Sequence, residues 1–177
     1  MSRFLERLLA FHSSPAICGI KAANLISLDY YESLQEEIGE LNLKYPNICL
    51  YILQKKNNKV LLLVFRKKVL EKHLFEDDTK EFLAHLGYNT SSIDSMLEGL
   101  VSRMELDAFP HEVGVFLGYS LEDIKAFMDG HECLYVGYWK VYSDVEAKKE
   151  LFERFTRCRD CVTKLVKRGY SLENFMK

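Results

Sequence analysis

Two apolar runs, Ile48 to Gln54 and Lys59 to Arg66, are separated only by Lys55-Lys56-Asn57-Asn58, and this arrangement constrains the fold more than any other part of the chain. Ile, Leu, Tyr, Val and Phe favour extended, half-buried backbone, and an Asn-rich turn suits a tight reversal. The spacing predicts a β-hairpin over 48–66. Two other segments are candidates to join it. Ile20 to Leu28 holds enough apolar residues for a short strand, and Cys133 to Tyr142 reads as a strand buried on both faces.

Between these segments the apolar period lengthens to that of helices. The first, over residues 1–11, carries charge through its apolar part. Asp29 can cap a second helix reaching Lys44, with Leu34, Ile38 and Leu41 on one face and Glu32, Glu36, Glu37 and Glu40 on another. Further helices are predicted over 67–75, 78–86 and 91–106. Ser120 caps another, which stops at Gly130, and Ser143-Asp144-Val145-Glu146 forms a capping box opening a long helix to Arg168. His12-Ser13-Ser14-Pro15 reads as a loop. The expected fold is α+β: a small mixed sheet of about four strands, including the 48–66 hairpin and the 133–142 strand, packed by several helices. No Ser/Gly-rich or low-complexity linker divides it, so residues 1–177 are expected to form a single domain.

Composition narrows the functional classes. At 177 residues and 48% hydrophobic content, the chain can bury a substantial core. A net charge of −2 provides no basic field for nucleic acid or an anionic membrane. The longest apolar runs, such as Val60 to Phe65, fall far short of the ~20 residues needed to cross a bilayer. The charged N-terminal helix is unlike a secretory leader, and a cytoplasmic location is expected. Five cysteines, an odd number spread through apolar segments, fit reduced thiols better than a disulfide framework.

The segment Phe109-Pro110-His111-Glu112-Val113-Gly114-Val115-Phe116-Leu117-Gly118-Tyr119 is where packing fails as an explanation. It sets an imidazole and a carboxylate side by side in an apolar run, and burying either is costly unless it has a partner or a task. Adjacent residues diverge on a strand or a helix, so the two need not act on one atom. His111 is the candidate proton donor or acceptor, and Glu112 its orienter or a second base. A second candidate is the 12–21 loop, where Gly19 would let a ligand approach the backbone and Lys21 would meet its charge. In Gly137-Tyr138-Trp139-Lys140-Val141-Tyr142, aromatic rings and Lys140 could receive a planar ligand. Cys158-Arg159-Asp160-Cys161 has redox spacing but lies deep in a predicted helix, with no second cysteine pair to complete a zinc site. Leu86-Gly87-Tyr88 echoes Leu117-Gly118-Tyr119, each pairing a helix end with a glycine turn and a new helix.

Phe-Pro-His-Glu-Val-Gly-Val-Phe-Leu-Gly-Tyr, followed by Leu-Glu-Asp-Ile-Lys and then Cys-Leu-Tyr-Val-Gly-Tyr-Trp-Lys-Val-Tyr, resembles an uncharacterised bacterial domain family marked by Pro-His-Glu and Leu-Gly-Tyr-Pro motifs. Its members come mostly from anaerobic Gram-positive bacteria. The resemblance covers nearly the whole chain, including Pro15, Gly19 and Lys21, with Ser120 where the family has proline and Ser14 where a cysteine is expected. Occurrence of such genes beside flavodoxin-type genes implies redox-linked physiology, and the resemblance brings no activity or cofactor with it.

The residues point to one pocket for a small anionic or planar ligand. Lys21 and Lys140 would supply charge, His111 and Glu112 the acid/base chemistry, Gly19 close approach, and Tyr119, Tyr138 and Trp139 the walls. Two alternatives remain: a metal-binding or redox-linked accessory protein using His111, Glu112 and His12, and an interaction module docking a flavodoxin-like redox partner through Tyr135, Tyr138 and Trp139.

Overall fold

The computed structural model describes residues 1–106 and 108–177. Strands β1 (Ala23–Asp29), β2 (Ile48–Lys56) and β3 (Lys59–Arg66) form an antiparallel sheet in the order β1-β3-β2. The hairpin turn comprises Asn57 and Asn58, with φ of 51° and 59°. Both are left-handed, as a two-residue turn matched to strand twist requires. A bulge at Leu53 shifts the β2–β3 register between Ile52 and Gln54.

Being central, β3 is covered on both faces, which explains its unbroken apolar run. Val60, Leu62 and Val64 enter one core with Leu5 and Leu9 of α1 (Arg3–His12), Ile17 of α2 (Ser14–Ile17), Leu34, Ile38 and Leu41 of α3 (Leu34–Lys44), and Val162. Leu61, Leu63 and Phe65 face a second core. That core is built by α4 (Lys67–Leu74), α5 (Asp77–His85), α6 (Ile93–Met104), α7 (Val113–Phe116) and α8 (Leu121–Met128).

The remaining elements are β4 (Tyr135–Val136), β5 (Lys140–Val141), α9 (Val145–Lys167) and a terminal 3-10 turn (Leu172–Phe175). Val162 of α9 belongs to the first core, and Phe152 and Phe155 hold a smaller third cluster with Trp139 and Val141. No helix among the described residues is long and apolar enough to cross a membrane.

The class is α+β, but the sheet arrangement differs from expectation. Among the described residues there is no mixed four-stranded sheet; a three-stranded and a two-stranded sheet are both antiparallel. The 133–142 segment is not one buried strand. It doubles back through Gly137-Tyr138-Trp139, where the Gly137 amide donates to the Trp139 carbonyl (3.0 Å), leaving β4 exposed while Trp139 and Val141 pack on α9.

Three boundaries also move. Ser14-Pro15 opens a helical turn instead of a loop, since proline suits a first helical position. Asp29 remains paired with Lys59 in β1, so α3 starts only after Ser33. The expected capping box does not form: Asp144 occupies the N-cap of α9 in a left-handed conformation without a side-chain cap bond.

Candidate functional site

The chain between α1 and β1 is drawn tight at Pro15, whose carbonyl accepts from the amides of Ile20 (2.9 Å) and Lys21 (3.1 Å). Gly19 ends α2 at φ +75°, packed against the side chain of Arg66. Arg66 in turn donates to the carbonyls of Ile17 (2.6 Å) and Phe175 (2.7 Å). This clamp turns Lys21 inward. Only 7% of Lys21 is exposed, and its Nζ donates to the carbonyls of Leu117 (2.6 Å) and Ala23. Burial lowers the amine to about 7.

Residues 110–119 form two successive turns, the second of them α7. Pro110 is buried, and the amides of Val113, Gly114 and Val115 bond back to the carbonyls of residues 110, 111 and 112. At this bend His111 and Glu112 part. His111 is exposed and meets Phe127 edge-on, with ring centres 4.9 Å apart. Glu112 is 5% exposed and points into the second core, where it accepts from the Tyr88 hydroxyl (3.0 Å) and pairs with Arg103 (3.1 Å). At Gly114 a Cβ would lie 2.8 Å from the Tyr119 ring, so the helical turn can approach that ring only as glycine.

The β4–β5 turn completes the arrangement. Trp139 stacks on Tyr119 (4.4 Å, 20°) and meets Phe152 edge-on (4.5 Å). Its indole Nε1 donates to Asp123 (2.8 Å), which also accepts from the Tyr142 amide (2.7 Å) and Ser120 Oγ (2.8 Å), with Lys148 at 3.8 Å. Burial opposes the charge on Asp123, yet these four groups together hold its carboxyl below the usual carboxylate range.

These three segments surround a cavity of about 620 Å³. Lys21, His111, Tyr119, Tyr138, Trp139 and Lys140 all line it. So do Phe11, His12, Pro15 and Arg159 on one side, and Asn24 and Leu25 of edge strand β1. Its size suits a small organic molecule. The cations lie on aromatic faces: Lys140 Nζ is 5.3 Å from the centre of Phe127, and the Arg159 guanidinium 5.3 Å from that of Phe11. Asp123 is the one acid among the described lining residues, and its oxygens are already engaged. Among the described residues the wall is thus apolar and net positive.

The family model described as a protein of unknown function, DUF3793, matches residues 9–176. The chain belongs to the DUF3793 family. No curated protein and no solved structure matches it significantly. The matched span of this DUF3793 chain includes every residue of the cavity wall.

Two residues expected at the site lie outside the wall. Gly19 shapes the loop behind Lys21, and Glu112 is held in the second core by Tyr88 and Arg103. Conversely, Asp123, Arg159, Phe11 and Phe127 line the cavity although the sequence marks none of them as a site residue. Asp123 is hidden by its place in a helix start, where an acid is explained already. Arg159 lies one residue after Cys158 on α9, and only the packing of that helix brings it here.

Cys158 and Cys18, the residue after α2, both pack against the first core. The neighbouring Cys158 thiol, assisted by Arg66 and opposed by burial, lowers the Cys18 thiol to about 7.

Proposed function

We propose that the cavity binds a small planar anion, with His111 at its wall as the proton donor or acceptor of an acid/base step. The observation that carries this reading is the cavity of about 620 Å³ in which Lys140, Arg159, His12 and His111 face aromatic walls while Asp123, the one acid among its described lining residues, is internally satisfied. A positive, partly desolvated wall favours carboxylate or phosphate, and rings at its edges favour a flat ligand. Tyr119 and Trp139 form a rigid pair, so the ligand is expected to lie across their outer edge rather than between them. Glu112, held in the second core by Tyr88 and Arg103, stands apart from the ligand contacts.

A protein-docking role, with a redox protein as partner, is the second reading. It is favoured by β4 and the residue before it, where Leu134 and Val136 are 67% and 64% exposed. For a metal-binding role, His12 and His111 share the cavity, but among the described residues no three His, Cys, Asp or Glu gather where they could hold an ion.

Native mass spectrometry of protein purified without added ligand separates these readings. A retained anionic aromatic molecule is the expected result. A retained metal ion or second polypeptide would instead favour the corresponding alternative. A bare chain whose Trp139 emission is also unmoved by 4-methylbenzoate would overturn the proposal.

A further inference from the structure

We infer that Lys21 is a nucleophilic amine that captures an aldehyde or ketone bearing an anionic group, forming an imine inside the cavity. This deepens the preceding proposal and rests on the cavity being a ligand site.

The argument starts from how the amine is held. Lys21 is buried, lines the cavity and gives its hydrogen bonds to two backbone carbonyls, those of Ala23 and Leu117. No salt bridge joins it to a carboxylate among the described residues. Asp123, on the same wall, is taken by Trp139, Ser120 and the Tyr142 amide. A neutral amine has two N–H donors and one lone pair, so two carbonyls satisfy it and leave the lone pair free. An ammonium there would carry a third donor and an uncompensated charge, eased only by the Tyr119 ring, whose centre is 5.4 Å away. Burial brings the group to about 7, so near neutral pH roughly half the molecules hold the free amine. A desolvated lysine in an apolar pocket is the environment that makes this side chain a nucleophile.

The chemistry balances without any oxidant or reductant. The lone pair adds to the carbonyl carbon, and one amine proton passes to the carbonyl oxygen, giving a carbinolamine. The second amine proton leaves with the hydroxyl as water, and the C=N bond forms. When protonated, the imine keeps one N–H for one of the two carbonyls that held the lysine. The anionic end of the substrate meets Lys140 and Arg159, also on the cavity wall. The substrate class is therefore a small, flat carbonyl compound carrying a carboxylate or phosphate.

The test is reductive trapping in the unmutated protein with 4-carboxybenzaldehyde and cyanoborohydride, followed by peptide mapping. At pH 7 Lys21 should be alkylated about tenfold faster than the exposed Lys55 and Lys56, with a rate that falls below a single ionisation near 7. Labelling confined to exposed lysines, or a Lys21 rate that keeps rising to pH 10, would overturn the inference. A Lys21→Arg variant with an unchanged circular dichroism spectrum should lose the fast adduct alone. Saturable quenching of Trp139 by 4-methylbenzoate, measured in parallel, separates the two proposals. Quenching without a Lys21 adduct leaves the binding site standing and removes the imine; loss of both removes the two together.

Discussion

The turns Leu86-Gly87-Tyr88 and Leu117-Gly118-Tyr119 end α5 and α7 with the same backbone device and then serve opposite ends. Gly87 and Gly118 have φ of +87° and +75°, and the following tyrosine amides bond back to Leu83 (3.0 Å) and Gly114 (2.9 Å). Each tyrosine ring lies against a glycine, Gly99 for Tyr88 and Gly114 for Tyr119. Tyr88 then closes a buried network: its hydroxyl binds Glu112, Arg103 pairs with the same carboxylate, and the guanidinium covers the ring at 4.8 Å. Tyr119 instead faces the cavity, stacked on Trp139 with Lys21 over its ring. Identical local chemistry thus produces a satisfied core in one case and an open, positively charged wall in the other. His111 and Glu112, adjacent in sequence, are divided between them.

Disturbing the open turn through Lys21 should have the largest effect. Burial lowers the folded-state pKa of this amine from 10.5 to about 7, so between those values the unfolded chain binds the extra proton. Native stability should therefore rise with pH from about 7 to about 10.5, while the full penalty persists below 7. Relative to Lys21→Met, the gain across that window should be on the order of 4 kcal/mol, at about 1.4 kcal/mol per pKa unit. Paired urea titrations from pH 6 to 10 would measure it, and parallel curves for the two proteins would contradict it.

Opening the closed turn comes next. Arg103→Ala strands the Glu112 carboxylate in the second core and should destabilise the fold by about 3 kcal/mol in urea unfolding, with little change in ligand affinity. Gly114→Ala forces a methyl group against the Tyr119 ring. A cost of about 1–3 kcal/mol is expected, together with weaker ligand binding because Tyr119 is part of the wall. His111→Ala should change stability by no more than about 0.5 kcal/mol, since the ring is exposed. A large loss of thermal stability in that variant would assign His111 to packing.

How much of this is legible in the sequence depends on how local each cause is. The 48–66 hairpin, the apolar face of α3 at Leu34, Ile38 and Leu41, and the stop at Gly130 follow from period and turn chemistry, and they stand in the structure. The 133–142 segment misleads because an apolar run looks alike whether it crosses a core or folds back to pack one side on α9. At the site, aromatic and charged residues concentrated in three short segments mark much of the cavity wall. The direction taken by Glu112 is set by Arg103 and Tyr88, which lie 9 and 24 positions away, and no local pattern carries it. Asp123 and Arg159 are invisible for the same reason: their partners come from tertiary packing.

Trp139 is the only tryptophan in the chain and lines the cavity, so its emission reports directly on the open wall. The decisive measurement is its titration with 4-methylbenzoate in the unmutated protein, Glu112→Gln and Lys140→Ala. A saturable change is expected in the first two with similar affinity, and an affinity about tenfold weaker in Lys140→Ala, equivalent to ~1.4 kcal/mol. Binding abolished by Glu112→Gln but untouched by Lys140→Ala, or no saturation in any of the three, would contradict the division of the two turns into a closed core and an open site.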